Sequence, residues 1–354
     1  MGLPSINITF TSQAASSIEK SEKGIVAIII KDEKAKGSYE LTKPSQLPGE
    51  LSKGNQEYIK RAFTGYINPP KKVIVYVLPK DAEDLSGALE ALETQKFDYL
   101  VGPAEITAEE CTEIATWIKL QRADGFVPKA VLPNTAADSE GVINLTTSGI
   151  SDGTNTYTAA EFCSRIAGLL AGTPMEISCT YAPLPELTGV DRQSKEAIDE
   201  AIDKGQFILF YDGTKVKTGR AVNSLQTTVE GKGEAFKKIK IVEAMDMIRT
   251  DLRNTMEDSY IGKYANSYDN KCVLITAIKS YLTEFENQGI LKAGASTVEI
   301  DVEAQEAYLT ARGINTADMS KEQIKVEATG AEVFLKSGIT ILDAIEDVTI
   351  NFTI

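Results

Sequence analysis

Gly24-Ile25-Val26-Ala27-Ile28-Ile29-Ile30 holds an apolar run as long as any in the chain and is followed by the charged pair Lys31-Asp32. Six consecutive apolar residues, four of them Ile, are far too short for a membrane span and suit a strand covered on both faces. Val73–Leu78, Tyr99–Val101 and Ala130–Leu132 repeat the pattern, each bounded by Pro, Gly or charge. Helical spacing lies between and after these runs. Cys111, Ile114, Ala115 and Ile118 fall at i, i+3, i+4 and i+7, and Phe162, Ile166, Leu169 and Leu170 at i, i+4, i+7 and i+8. Thr158 and Glu161 make a capping box that opens the second of these helices, and Gly172-Thr173-Pro174 ends it. A further strand, Phe207–Tyr211, runs into the turn Asp212-Gly213. Strands alternating with helices predict a mainly parallel sheet with helices on its faces, an α/β domain over residues 24–225.

Downstream, Gly231-Lys232-Gly233 breaks the pattern and reads as a hinge. Long helices follow, with Ile241, Met245, Ile248 and Leu252 on one face and Leu274, Ile278, Tyr281 and Phe285 on another. A strand is expected at Thr297–Val302, a short helix around Ala304–Ala311, and strands from Ile324 onward. Residues 226–345 thus read as an α+β domain that finishes with several strands, followed by a separate strand arm at 346–354. Val348, Ile350, Phe352 and Ile354 alternate with Thr349, Asn351 and Thr353, so the apolar set shares one face. Upstream, residues 1–23 read as a second arm: Ile6, Ile8 and Phe10 alternate in the same way, and Thr11–Gly24 is a polar, small-residue linker. Alternating strands with no Lys or Pro to blunt their edges invite pairing. They either close their own domain's sheet or add strands to neighbouring subunits.

The formal net charge is −14, from 37 Lys+Arg against 51 Asp+Glu, which repels nucleic acid and anionic membrane. No basic and apolar leader pattern opens the chain, so no signal peptide is expected, and Ile6 occupies the position a myristoylation signal gives to Ser or Thr. Cys111, Cys163, Cys179 and Cys272 are scattered without a C-x-x-C, which fits buried thiols in a reducing cytoplasm. The chain has no histidine, which removes the commonest general base and metal ligand and every Ser-His-Asp or Cys-His arrangement. It has neither a P-loop nor a G-x-G-x-x-G after a strand. The acidic pairs Glu109-Glu110 and Glu257-Asp258 are adjacent in sequence and diverge, and Glu346-Asp347 reads as a turn into the last strand. No metal, cofactor or catalytic role is expected.

Gly219-Arg220-Ala221-Val222-Asn223-Ser224-Leu225 resembles the R-x-V-N-[ST]-L stretch that precedes the inner domain of contractile-tail sheath proteins. Phe236–Glu243, Tyr260–Asn266, Val333–Leu335 and Ile339–Asp347 with the final strand are similar to that family's later signatures, in order. Small size points within it to the compact sheaths of simple myophages, defective prophages and R-type bacteriocins. The resemblance implies hexameric rings stacked helically around an inner tube, with arms of neighbours joining the inner domain's sheet. It also implies baseplate and tail-terminator partners, synthesis in the bacterial cytoplasm, and release on lysis within a phage tail or bacteriocin. The family's outer domain is often called subtilisin-like; without histidine that describes a shape alone.

The expected function is therefore a structural, self-assembling sheath subunit that contracts to drive a tube through a cell envelope. The competing expectation is a cytosolic α/β enzyme or small-molecule binder whose terminal strands close its own sheet. Strand exchange falls to Ile6, Ile8, Phe10, Val348, Ile350, Phe352 and Ile354. Lys232, Lys237, Lys238 and Lys240 cluster within nine residues of an acidic chain, and with Lys321, Lys325 and Lys336 they are the expected contacts to the tube.

Overall fold

A computed structural model describes Ile18 and residues 23–353. The expected strand at Ile6, Ile8 and Phe10, most of the linker, and Ile354 lie outside the described residues. The chain divides into two compact units, one comprising Ser21–Thr250 with Asp343–Ile354, the other including Asp251–Leu342.

The first unit is built on strands β1 (Ile25–Asp32), β2 (Gly37–Leu41), β3 (Lys72–Pro79), β4 (Tyr99–Val101), β5 (Lys129–Pro133) and β6 (Val142–Leu145). A small hairpin, β7 (Ile150–Ser151) with β8 (Thr156–Tyr157), precedes β9 (Gln206–Phe207). The sheet runs β2-β3-β1-β4-β5-β6-β9 and is parallel except for the β2 edge. Side chains of a strand alternate between faces, and β1 and β3 separate their residues accordingly. Val26, Ile28, Ile30, Val73, Val75 and Val77 join one core with Tyr58, Ile59 and Ala62 of α1 (Lys53–Ala62). Ala27, Ile29 and Ile74 join another with Ala88, Leu89 and Leu92 of α2 (Ser86–Leu92) and Ile114, Ala115 and Ile118 of α3 (Ala108–Ala123). Phe162, Ile166, Leu169 and Leu170 of α4 (Ala159–Ala171) complete the first core. This is a three-layer α/β/α arrangement, as the apolar runs predict.

The capping box of Thr158 and Glu161 opens α4, and Gly172 caps its end. Cys111, Cys163 and Cys179 are buried free thiols and Cys272 is half-buried. After α5 (Lys195–Asp203), the strand expected over Phe207–Tyr211 divides in two. β9 pairs with β6, whereas β10 (Leu209–Tyr211) turns away to pair with β11 (Val216–Thr218). The carbonyl of Ile208, between them, accepts from Gly219 N–H at 2.7 Å.

Gly231 lies at positive φ in a tight turn closed by two hydrogen bonds between Val229 and Lys232. A short 3₁₀ turn (Glu234–Lys237) then leads into α6 (Ile239–Thr255), within which the division between the two units falls.

The second unit contains a π-helical turn (Met256–Tyr260), α7 (Tyr268–Asn287), β12 (Thr297–Ile300), α8 (Val302–Ala311), α9 (Lys321–Val326) and β13 (Leu335–Gly338). Ile278, Tyr281, Leu282 and Phe285 form the buried face of α7. Two expectations are corrected here. Val302 begins a helix rather than ending a strand, because Asp301 accepts from Ala304 N–H and caps α8. The sequence from Ile324 is not β-rich within the chain. A capping box of Ser320 and Gln323 sets Lys321–Val326 as a helix, and β13 is the one strand that follows among the described residues. An alternating segment becomes a strand only when a ladder partner is available.

Candidate functional site at the root of the C-terminal segment

The stretch Gly219–Leu225 is held as an irregular ribbon against the approach to α6. Val222 forms an antiparallel bridge with Lys238. Asn223 N–H donates to Lys237 O at 2.9 Å, Ile239 N–H to Ala221 O at 3.1 Å, and the Asn223 side-chain amide to Phe236 O at 2.7 Å. These bonds fix Arg220 and Lys238 on neighbouring backbone. Lys238 is also the residue whose carbonyl accepts from Val242 N–H, so a cation stands at the N-terminus of α6, the end where the helix dipole favours anions.

Three carboxylates from the end of the chain offset that charge. Asp343 and Glu346 both pair with Lys238, the latter at 3.5 Å. Arg220 reaches Glu346 Oε2 at 3.4 Å and Asp347 Oδ1 at 2.7 Å. The Glu346 side chain is only 7% exposed, and its Oε1 accepts from the Thr180 hydroxyl at 2.5 Å. That hydroxyl is itself oriented, accepting from Ala221 N–H and from Ser178 Oγ, both at 3.0 Å. The hydrogen bond and charge of Arg220 hold the Asp347 carboxyl below the usual carboxylate range, and Asp347 in turn holds Arg220 up. Burial pulls the Lys238 ammonium down, but Asp343 and Glu346 outweigh it and the net direction is up.

Beyond this seat the chain is bare. Val348, Ile350 and Phe352 are 69%, 66% and 85% exposed, and residues 348–353 have no strand or bridge. The alternation seen in the sequence is present without a partner to bury it. In the second unit, β12 and β13 pair only with each other, Thr297 opposite Gly338 and Ile300 opposite Leu335, which leaves two outer edges unpaired among the described residues.

A second group of buried charges lies where α6 meets the N-terminal ends of the sheet strands. Glu243 pairs with Lys23, just before β1, and accepts from the Tyr99 hydroxyl. Asp246 takes a two-bond grip from Arg122 at 2.9 and 3.0 Å and a third contact from Lys129 at 3.2 Å. Arg122 and Lys232 both bind Glu140.

The lysines singled out from sequence are divided between the units. In the first, Lys232 is paired with Glu140, Lys237 with Glu234 at 3.0 Å, and Lys238 with Asp343 and Glu346. Lys240 is only 6% exposed, and burial pulls its ammonium down. In the second, Lys321 is exposed, Lys325 half-buried, and Lys336 sits 3.4 Å from Glu299. Sequence reading missed Thr180, Arg220 and the seating role of Glu346. Arg220 stood inside a recognisable stretch, but its partner lies over 120 residues away, and no local spacing announces that.

Comparison with known proteins gives a consistent result. The family model described as phage tail sheath protein central domain matches residues 80–224, and that of the phage tail sheath C-terminal domain matches residues 231–354. The chain is 40% identical over 356 residues to a tail sheath protein of Clostridium phage phiCD119, covering 99% of each. The crystal structure of a sheath tail protein from Desulfitobacterium hafniense superposes with a TM-score of 0.68 at 18% identity, over 84% of this chain and 94% of that one. The helical sheath of the anti-feeding prophage in its contracted state superposes with a TM-score of 0.75 at 14% identity, over 100% and 99%.

Proposed function

This chain belongs to the phage tail sheath protein family, and we propose that copies of it polymerise as hexameric rings around an inner tube and contract to drive that tube through a cell envelope. The role is structural rather than catalytic. The observation that carries the reading is the C-terminal segment: its root is seated by five ion-pair and hydrogen-bond contacts on Arg220, Lys238 and Thr180, while its alternating apolar residues face solvent. A segment fixed at its base and bare beyond it is suited to pair with another subunit, and the outer edges of β12 and β13 are the place for it to do so. Ile6, Ile8 and Phe10 would pair in the same way from the other end.

In this reading residues 24–225 form the outer domain, 226–345 the inner domain, and 1–23 and 346–354 the arms. The inner domain faces the tube. Lys237, Lys321 and Lys336 are the better placed of the expected tube contacts, since Lys238 is engaged with the tail root and Lys240 is buried. The baseplate and a tail terminator bound the ends of the assembly. The subunit is made in a bacterial cytoplasm and leaves it at lysis, in a phage tail or a bacteriocin particle. No helix among the described residues is long and apolar enough to cross a membrane. Electron microscopy of the purified protein tests the proposal. Tubes or stacked rings support it, and uniform compact particles retaining a bound metabolite favour a small-molecule binder instead.

A further inference from the structure

The two ionic seats described above share one piece of helix. Lys238, which grips Asp343 and Glu346, is five residues from Glu243, which grips Lys23. The hydrogen bond from Val242 N–H to Lys238 O, at 3.1 Å, closes the first turn of α6, and Glu243 follows it directly. Lys23 stands immediately before Gly24 and β1, at the base of the N-terminal segment, and its Nζ also donates to Thr173 O at 3.0 Å. Asp343, Glu346 and Asp347 form the base of the C-terminal segment.

We propose that the first turn of α6 couples the roots of the two chain ends, so that loosening one root loosens the other. Five residues of hydrogen-bonded helix advance by about 7.5 Å and move as one rigid piece. A shift of that turn large enough to part Lys238 from Asp343 therefore also displaces Glu243 from Lys23. Glu243 is buried, and a buried carboxylate stripped of its cation is costly, so the helix follows Lys23 as firmly as it follows the tail. The ribbon carrying Arg220 moves with it, because Ile239 N–H is bonded to Ala221 O. Such coupling is reciprocal by thermodynamic necessity. In an assembly built as proposed above, tension on one arm would be felt at the other within the same subunit. The coupling itself is a property of the single subunit and is tested there, so its failure leaves the sheath assignment untouched.

The test is hydrogen exchange on the purified, unassembled subunit. Glu243→Gln breaks the pair with Lys23 and is expected to speed exchange by about fivefold or more, the lower end of typical coupling between sites, at Ala221 and Ala344, whose N–H groups are bonded to Thr180 Oγ1 at 3.0 Å and Asp343 Oδ1 at 2.8 Å. Lys238→Met is expected to do the same at Gly24 and Ile25, whose N–H groups are bonded to Asp98 at 2.7 and 2.8 Å. The strand β5 should keep its rates in both. In the double variant the combined acceleration at either root should fall short of the product of the single effects. Effects confined to each variant's own root, or a double variant that multiplies fully, overturn the proposal. So does an equal loosening of both roots by Ile59→Val, a core change in α1 remote in sequence from α6. If Glu243→Gln does not fold, Lys23→Gln removes the same ion pair from the other side and carries the same expectation.

Discussion

At the scale of single residues, the seat of the C-terminal segment depends on a few charged atoms, and its pH dependence follows from them. Arg220 holds the Asp347 carboxyl below its ordinary value. A depressed carboxylate contributes fully above its unfolded pKa, about 3.9, and the contribution is lost as pH falls through the lower folded value. The segment should therefore stay seated from neutrality down to about pH 4 and loosen below it, read from sharpening of the Val348 methyl signals in NMR. Asp347→Asn should show part of that sharpening already at pH 7 and a flatter response on acidification. Thr180→Val should weaken the seat at every pH, since it deprives Glu346 Oε1 of its donor at a cost of about 1–3 kcal/mol. Lys271 in α7 acts in the same direction but in the alkaline range. It is 3% exposed and donates to Gln305 Oε1 at 3.2 Å and Thr329 Oγ1 at 3.1 Å, with burial pulling its ammonium below the usual lysine range. Between that folded value and the unfolded one near 10.4 the unfolded chain binds more protons, so this lysine makes stability rise with pH. Comparing wild type with Lys271→Met by calorimetry from pH 7 to 10 should show the variant lacking that rise; parallel curves would refute the assignment.

At the scale of elements, what was legible in the sequence was whatever a short window determines. The apolar runs of β1, β3, β4 and β5 announced themselves because strands buried on both faces need no alternation, and the capping box of α4 because it is closed within four residues. The Ser320–Gln323 box before α9 was equally local, but the expectation of strands to the end of the chain obscured it. The break at Ile208 and the seat at Arg220 were not legible, since both depend on partners brought together by the fold. Close approach of helices is another such property. Gly168 in α4 looks like a poor helix residue whose replacement by Ala should gain about 1 kcal/mol. Yet a Cβ there would stand 1.8 Å from the carbonyl oxygen of Ala62 in α1, a backbone atom that has no rotamer to retreat to. Overpacking of that kind costs about 1–3 kcal/mol and more when backbone must move. Gly168→Ala should therefore destabilise the α/β unit by about 2 kcal/mol in urea unfolding. A stabilised variant would mean that α1 and α4 do not pack at this distance.

At the scale of the whole molecule, the question is whether the C-terminal segment belongs to the fold of its own chain or to an assembly. The acidic root at Asp343, Glu346 and Asp347 is integrated into the first unit, whereas Val348, Ile350 and Phe352 contribute almost nothing to any core. Cutting between them separates the two roles. Burying three such side chains is worth roughly 5–9 kcal/mol before the ordering of the strand is subtracted. None of that gain is available to the isolated subunit, so removal of Val348–Ile354 should leave its melting temperature within about 2 °C of wild type. If the segment pairs with a neighbouring subunit as proposed, assembly should fail, because each missing strand would remove one ladder and its apolar face from every such contact. Scanning calorimetry and electron microscopy of the same preparation read both consequences. A truncated chain that is markedly less stable would place the segment in its own fold, and one that still forms tubes would show that the sheath closes through other surfaces.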